Sequence, residues 1–266
     1  MKIADDVFLV GSGQVRISHP RDCNTYLVNG GDEIALIDVG GGIKTELILR
    51  NIQEDGFDVR RLKSILLTHG HADHACGGAE IRRKTGCKII ASAKEALLIE
   101  KGNEEELGLI AAKLDGCYPQ DYVFENYKVD KVIEDKERIK VGKYILEAIV
   151  TPGHRIGHVC YLMKQNNYTI LLSGDNVFLK GIISLLNCPG SSLKDYREGM
   201  SKLKDLSVDA LFPGHGLWTL QDGQKHIDLA IQRLRGMFPP VNNGWDNDLR
   251  PFMLKQALRR KEQTIG

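Results

Sequence analysis

Three histidines and one aspartate fall within the six residues His69-Gly70-His71-Ala72-Asp73-His74, directly after the apolar run Ser64-Ile65-Leu66-Leu67. Imidazoles crowded this closely repel one another when charged and are costly to bury without partners. A metal ion resolves both problems, because it binds neutral imidazole and ionised carboxylate together. The same setting recurs three times farther along. "EAIVTP" is followed by Gly153-His154, "TILLSG" by Asp175 and "DALFPG" by His215. Each is a metal-binding residue type placed just after a short apolar strand. Strand ends hold a loop residue firmly while leaving its tip at one edge of a sheet, so four such ends meeting there build a preformed polar pocket. The candidate ligands are His69, His71, Asp73, His74, His154, Asp175 and His215. Seven N and O donors exceed what one tetrahedral zinc site uses, since catalytic sites take three protein ligands and keep one position open. Two metals sharing one carboxylate use all seven.

The elements that must position these residues alternate between strands and helices. "DDVFLVGSGQVRIS" and "CNTYLVNGGDEIALIDVGGG" read as strands, the second folded at a tight "NGGD" turn. "KTELILRNIQEDGFD" carries Leu47, Ile48 and Ile52 at helical spacing, with Gly56 suited to its C-terminal end. After "SILLT", the segment "ACGGAEIRRKTG" reads as one helix leading into the strand "CKIIAS", and "KEALLIEKG" as another helix. Residues 103–130 read as partly helical, ending in a loop. "RIKVGKYILEAIVTPGH" and "HVCYLMKQNNYTILLSGD" each read as two strands. "SLKDYREGMSKLKDLS" has Ser191 or Ser192 as its N-cap, and "DGQKHIDLAIQRLRGMF" closes the pattern as a helix. Strands followed by helices, twice over, predict two similar α/β halves in one domain spanning 1–266, with a short helical extension at about 240–266.

Composition narrows the function classes. Lys+Arg is 36 against Asp+Glu 35, so no strong field attracts nucleic acid or an anionic membrane. No apolar run approaches the roughly 20 residues of a membrane span. The first residues, "MKIADDVFLVGSG", do not read as a signal peptide, and the six cysteines form no CxxC pair. The expectation is a cytoplasmic protein with reduced thiols and a small-molecule substrate, with no nucleic acid and no membrane as partner.

The motif HxHxDH at His69–His74, with "CNTYLV", "ALIDVGGG", "TPGH", "GDNVF" and "FPGHG" in order, resembles the metallo-β-lactamase-fold hydrolase superfamily over almost the whole chain. The resemblance implies a four-layer αββα sandwich with the metals at one edge of two sheets. It assigns His69, His71 and His154 to one metal and Asp73, His74 and His215 to the other, with Asp175 bridging. It makes Asp38 a buried support behind the ligands. The cofactors it implies are two Zn2+, and the activity is that of a dinuclear zinc metallo-hydrolase, with Asp73 orienting a hydroxide that attacks a thioester, ester or lactone carbonyl. "TPGHRIGHVCY", "GDNVF" and "PGHG" look most like the glyoxalase II-like branch. Lactonases share the short single-domain build, so a lactone stays open. The alternative is a mononuclear iron (Fe2+) persulfide dioxygenase, which shares nearly the same motif; a β-lactamase or nuclease fits less well.

The other conspicuous residues have plainer readings. His158 reads as a satisfied buried histidine, His19 and His226 as surface residues, and Cys76 as helix packing. Arg155, Lys180 and Tyr196 fall near the ligand-bearing strand ends and are the candidate substrate contacts. Trp245, Phe252, Met253 and Leu258 in the last segment suit either a cover for the pocket or a homodimer contact.

Overall fold

A strand that is apolar at every position must be covered on both faces. In the computed structural model, which describes residues 1–237 and 239, Ile34–Ile37 and Ala210–Pro213 are buried at every position. The strands form two sheets. The first contains β1 (Lys2–Ala4), β2 (Val7–Gly11), β3 (Thr25–Asn29), β4 (Ile34–Ile37), β5 (Leu62–Leu66), β6 (Lys88–Ser92) and β7 (Lys131–Ile133), in that spatial order. Its first four strands are antiparallel, and β4 through β7 run parallel. The second holds β8 (Arg138–Val141), β9 (Tyr144–Val150), β10 (Val159–Gln165), β11 (Tyr168–Gly174) and β12 (Ala210–Pro213), ordered β12-β11-β10-β9-β8.

Helices close the outer faces. On the first sheet lie α1 (Thr45–Glu54), α2 (Ala72–Ala75), α3 (Gly78–Thr85), α4 (Ala93–Lys101) and α5 (Leu109–Leu114). Ile48, Ile52, Ile81 and Ile99 pack there against Leu27, Leu36, Ile65 and Ile89. Between the sheets, Tyr26, Val28 and Ile37 meet Tyr161, Met163, Leu172 and Phe212. On the far side α6 (Leu193–Ser201) and α7 (Gly223–Leu234) cover the second sheet through Tyr196, Met200, Ile227 and Ala230. The layers therefore run helix, sheet, sheet, helix, the expected αββα sandwich. Each fully buried Leu or Ile contributes about 1.5–3 kcal/mol of transfer free energy.

Topology explains why the ligand-bearing ends converge. β9 and β11 both pair antiparallel with β10, so they point the same way, and β12 is parallel to β11. Their C-terminal ends leave the second sheet at one edge, and β5 delivers the histidine motif there from the first sheet.

Local readings hold with two changes. The Ser192 hydroxyl accepts from Asp195 N at 3.2 Å and caps α6. The segment 75–86 read as one helix holds α3, and a further short helix, α2, forms within the histidine motif itself, separated from α3 at Cys76-Gly77. A Cβ at Gly77 would sit 2.3 Å from Val39 O, so the chain turns where the two backbones touch. β1 and β7 are three-residue strands, too short to show a period. Among the described residues no helix is long and apolar enough to cross a membrane. The extension at 240–266, with Trp245, Phe252, Met253 and Leu258, lies outside the described residues.

Candidate metal centre

All seven predicted ligands meet at the shared sheet edge. His69 and His71 follow β5, and Asp73 and His74 belong to the short α2. His154 follows β9, Asp175 follows β11 and His215 follows β12. Three imidazole nitrogens face one another in one group: His69 Nε2 to His71 Nδ1 is 3.0 Å, His154 Nε2 to His71 Nδ1 2.9 Å, and His154 Nε2 to His69 Nε2 3.2 Å. In the second group His74 Nε2 and His215 Nε2 are 3.1 Å apart, and Asp73 Oδ2 lies 3.0 Å from His215 Nε2 and 3.6 Å from His74 Nε2. Asp175 stands between them. Its Oδ1 is 3.3 Å from His74 Nε2, and its Oδ2 is 3.4 Å from His215 Nε2 and 3.7 Å from His154 Nε2. A Cβ at Gly214 would fall 2.3 Å from Asp175 Oδ1, so only glycine lets the His215 loop close onto the cluster.

The donor set fits metal ions on the geometry of its outer hydrogen bonds. His74 Nδ1 lies 2.8 Å from Asp38 Oδ2 and His154 Nδ1 lies 2.7 Å from the Ser184 carbonyl, and neither partner can donate, so both nitrogens carry hydrogen. The Thr68 hydroxyl gives its hydrogen to Asp38 Oδ2 at 2.8 Å and so accepts from His69 Nδ1 at 3.0 Å. Each fixed tautomer turns an Nε2 lone pair toward the centre. Convergent lone pairs have no good arrangement among themselves, whereas a cation satisfies them together. Asp175 Oδ1, buried and without a hydrogen-bond partner, adds a donor of the same kind.

The two groups differ in charge. Burial, reinforced by neighbouring imidazoles, holds His69 and His71 well below the ordinary histidine range and His154 at about 4. Burial also opposes charge on His74 and His215. There the surroundings outweigh it: Cys23, Asp175, Asp73 and Asp38 hold His74 well above its ordinary range, and Asp175 and Asp73 raise His215 to about 9. The carboxylates around the second group thus favour positive charge there, while the first group offers neutral nitrogen.

Support comes from further residues. Asp38, with φ +59° in the left-handed region, accepts from Thr68 N at 2.8 Å as well as from the Thr68 hydroxyl and His74. A strained non-glycine backbone held by this many bonds marks a position fixed for its side chain. Glu95, buried in α4, was not expected at the site. Its Oε2 accepts from Gly70 N at 2.9 Å and its Oε1 from Gly157 N at 3.0 Å, joining the His69–His71 loop to the loop after His154. Reading "KEALLIEKG" as a helix gave no sign of this, and the only local hint was a glutamate among apolar residues.

The three candidate substrate contacts lie in different settings. Arg155 is fully buried, its Nε 3.6 Å from Glu95 Oε2 and one terminal nitrogen 2.8 Å from Glu106 O. It braces the site from behind. Tyr196 is also fully buried, its hydroxyl donating to Asp175 O at 3.2 Å and Ser184 O at 2.8 Å. Lys180 is exposed on a turn whose backbone is fastened to α7 by His226 and Arg233, not to the ligand loops. His158 is buried, accepting from Asp175 N at 3.2 Å with its other nitrogen 3.2 Å from the Thr151 hydroxyl. His19 and His226 are half-buried. Cys76 is packed in the core, and that burial pushes its thiol up to about 12, which disfavours the reactive thiolate.

A two-sheet αββα sandwich with clustered histidines and aspartates at one edge defines a class of metal-site proteins. The sequence model of the Metallo-beta-lactamase superfamily matches residues 19–215, and the chain belongs to that superfamily. Among curated relatives, the lactamase-like protein adaB of Aspergillus niger is 26% identical over 217 residues, 81% of this chain and 56% of its own length. The atrochrysone carboxyl ACP thioesterase of Aspergillus fumigatus is 23% identical over 96% of this chain and 65% of its own length. The hydroxyacylglutathione hydrolase of Rhodospirillum rubrum is 29% identical over 57% of this chain and 47% of its own. The chain thus spans about half to two thirds of the length of these relatives. Among solved structures, BJP-1, a subclass B3 metallo-β-lactamase of Bradyrhizobium japonicum, superposes with TM-score 0.68 at 23% identity, covering 97% of this chain and 95% of that one. Native FEZ-1 from Legionella gormanii gives 0.69 at 22% identity, covering 88% and 93%. At these identities the structures speak to the fold alone.

Proposed function

We propose that the chain is a hydrolase that holds two metal ions, zinc in our reading, and cleaves the carbonyl of a small thioester, ester or lactone. The observation that carries this is Asp175, whose carboxylate stands between one group of three imidazoles and a second of two imidazoles and Asp73. When bound, such a pair of ions supplies hydroxide at neutral pH, since metal-bound water has a pKa of about 7, and polarises the carbonyl under attack. His69, His71 and His154 would hold one ion and Asp73, His74 and His215 the other, with Asp175 placed within reach of both groups.

The chain's own residues do the rest. Asp73, with 7% of its surface exposed, holds its carboxylate 3.0 Å from His215 Nε2, from where it would accept a hydrogen bond from the attacking oxygen and aim it. Asp38, Thr68 and Glu95 hold the histidines in one geometry, so little reorganisation is needed as charge develops. Thioesters head the substrate series because two of the relatives carry thioesterase or acylglutathione hydrolase names. The test is a panel of thioesters, simple esters, lactones and β-lactams assayed on metal-loaded protein. Turnover of thioesters, lost on chelation, supports the reading. Turnover confined to β-lactams overturns the substrate class, and no turnover of any carbonyl compound overturns hydrolysis.

A further inference from the structure

Beside the ligand cluster is a cavity that the proposed hydrolysis leaves unused. Pro20, Arg21, Cys117 and Tyr118 line about 180 Å³ of space. The loop that carries Arg21 is bound to both ends of the second ligand group. Cys23 N donates to Asp73 O at 3.2 Å, and Asn24 N donates at 2.6 Å to the carbonyl of Gly214, next to His215. The facing wall is equally close. Burial is the main reason the Tyr118 hydroxyl is held above its ordinary range, and the Asp73 carboxylate is the next, so this ring lies within electrostatic reach of a ligand.

Arg21 is built like an anion receptor. Its guanidinium lies over the Tyr118 ring, 5.1 Å from the centroid, and Tyr118 stacks on Tyr122 at 4.6 Å. The Tyr122 hydroxyl donates to Gly41 O, which fixes the pile to the loop after β4. The backbone around Arg21 is set by a turn, with His19 N donating to Asp22 Oδ2 at 2.9 Å and Arg21 N to His19 Nδ1 at 3.3 Å. The neighbouring Asp22 carboxylate is occupied by His19 N and Gly41 N, the latter at 2.8 Å. Among the described residues the Arg21 guanidinium, half-buried, enters no ion pair. A guanidinium over a ring is held by cation–π attraction while its N–H groups stay available to pair with the two oxygens of a carboxylate.

We propose that Arg21 and Tyr118 form a subsite for a carboxylate on the substrate, so that this enzyme prefers acidic carbonyl compounds to neutral ones of equal shape. The inference rests on the hydrolytic reading and narrows it. The carboxylate could sit on the acyl or the leaving side, and four thioesters separate these. Glutaryl and pentanoyl thioesters of one neutral thiol vary the acyl end, and pentanoyl thioesters of 3-mercaptopropionate and butanethiol vary the thiol end. In one of the two pairs, kcat/KM is expected to be about tenfold higher for the acid, mostly in KM, as befits a charge-assisted hydrogen bond. In Arg21→Met, which keeps the apolar stem, that preference is lost while the neutral member is turned over as before and metal content is unchanged.

A preference absent in wild type, or one that survives R21M, overturns the subsite. If wild type hydrolyses no thioester, the thioester reading fails by itself, and calorimetric binding of glutarate and pentanoate decides the subsite. Both have one carboxylate for a metal, so only the second carboxylate reports on Arg21. Glutarate is expected to bind about tenfold tighter to wild type and equally to R21M. Equal binding to wild type refutes the subsite.

Discussion

The two halves of the ligand cluster are held by opposite means. His69 and His154 are held by neutral hydrogen bonds, to Thr68 and the Ser184 carbonyl, and the loops that carry them and His71 are tied together by Glu95. His74 and His215 sit among carboxylates, Asp38 behind and Asp73 and Asp175 beside them. One half is shaped by backbone position, the other by charge. The difference matters because backbone position depends on distant packing, whereas a charge contact is made by the residue at hand. Substitutions should therefore separate the two halves.

The largest effect is expected where they join. Asp175→Ala removes the carboxylate common to both and should lower kcat/KM by about 10³-fold or more, roughly 4 kcal/mol in the barrier, with the circular dichroism spectrum retained. Activity near wild type would show that the halves do not work as one centre.

Next are the supports. Glu95→Ala leaves Arg155 buried without its carboxylate, and breaking such a pair costs about 3–5 kcal/mol of stability, read from urea unfolding. Combining it with Arg155→Met should recover part of that loss, and no recovery would show that Arg155 does not depend on Glu95. The gentler Glu95→Gln keeps the volume, yet its amide nitrogen cannot accept from one of the two glycine N–H groups. Metal affinity should fall about 10–100-fold at the three-histidine half alone, whereas Asp38→Asn should cost most at the other half, where Asp38 bonds His74 directly and reaches His69 only through Thr68. A uniform loss from either variant would dissolve the distinction. The smallest effect is Tyr196→Phe. It removes a hydroxyl bonded to the Asp175 and Ser184 carbonyls and should cost about 1 kcal/mol in thermal or urea unfolding.

The same contrast explains what the sequence made legible. The ligands were readable because each follows an apolar strand within a few residues, so a local pattern reports a shared sheet edge. Asp38 was readable through the family resemblance. Glu95 was not, because its partners lie 25 and 62 residues away in Gly70 and Gly157, and a glutamate in a helix ordinarily faces water. The burial of Arg155 and Tyr196 was hidden for a related reason. Their nearness in sequence to ligand-bearing loops was visible, but whether a side chain points into the cleft or behind it depends on β9, β11 and α6 packing together. The short α2 within the histidine motif was not legible, because the turn that ends it depends on Val39, far along the chain from Gly77.

The most direct test of a two-metal centre is the metal content per chain, measured by elemental mass spectrometry on protein purified without added metal. The expected result is about two equivalents, as zinc, falling toward one in Asp38→Asn. One equivalent of iron in the wild-type chain would contradict it and point to oxygen chemistry on a sulfur substrate instead.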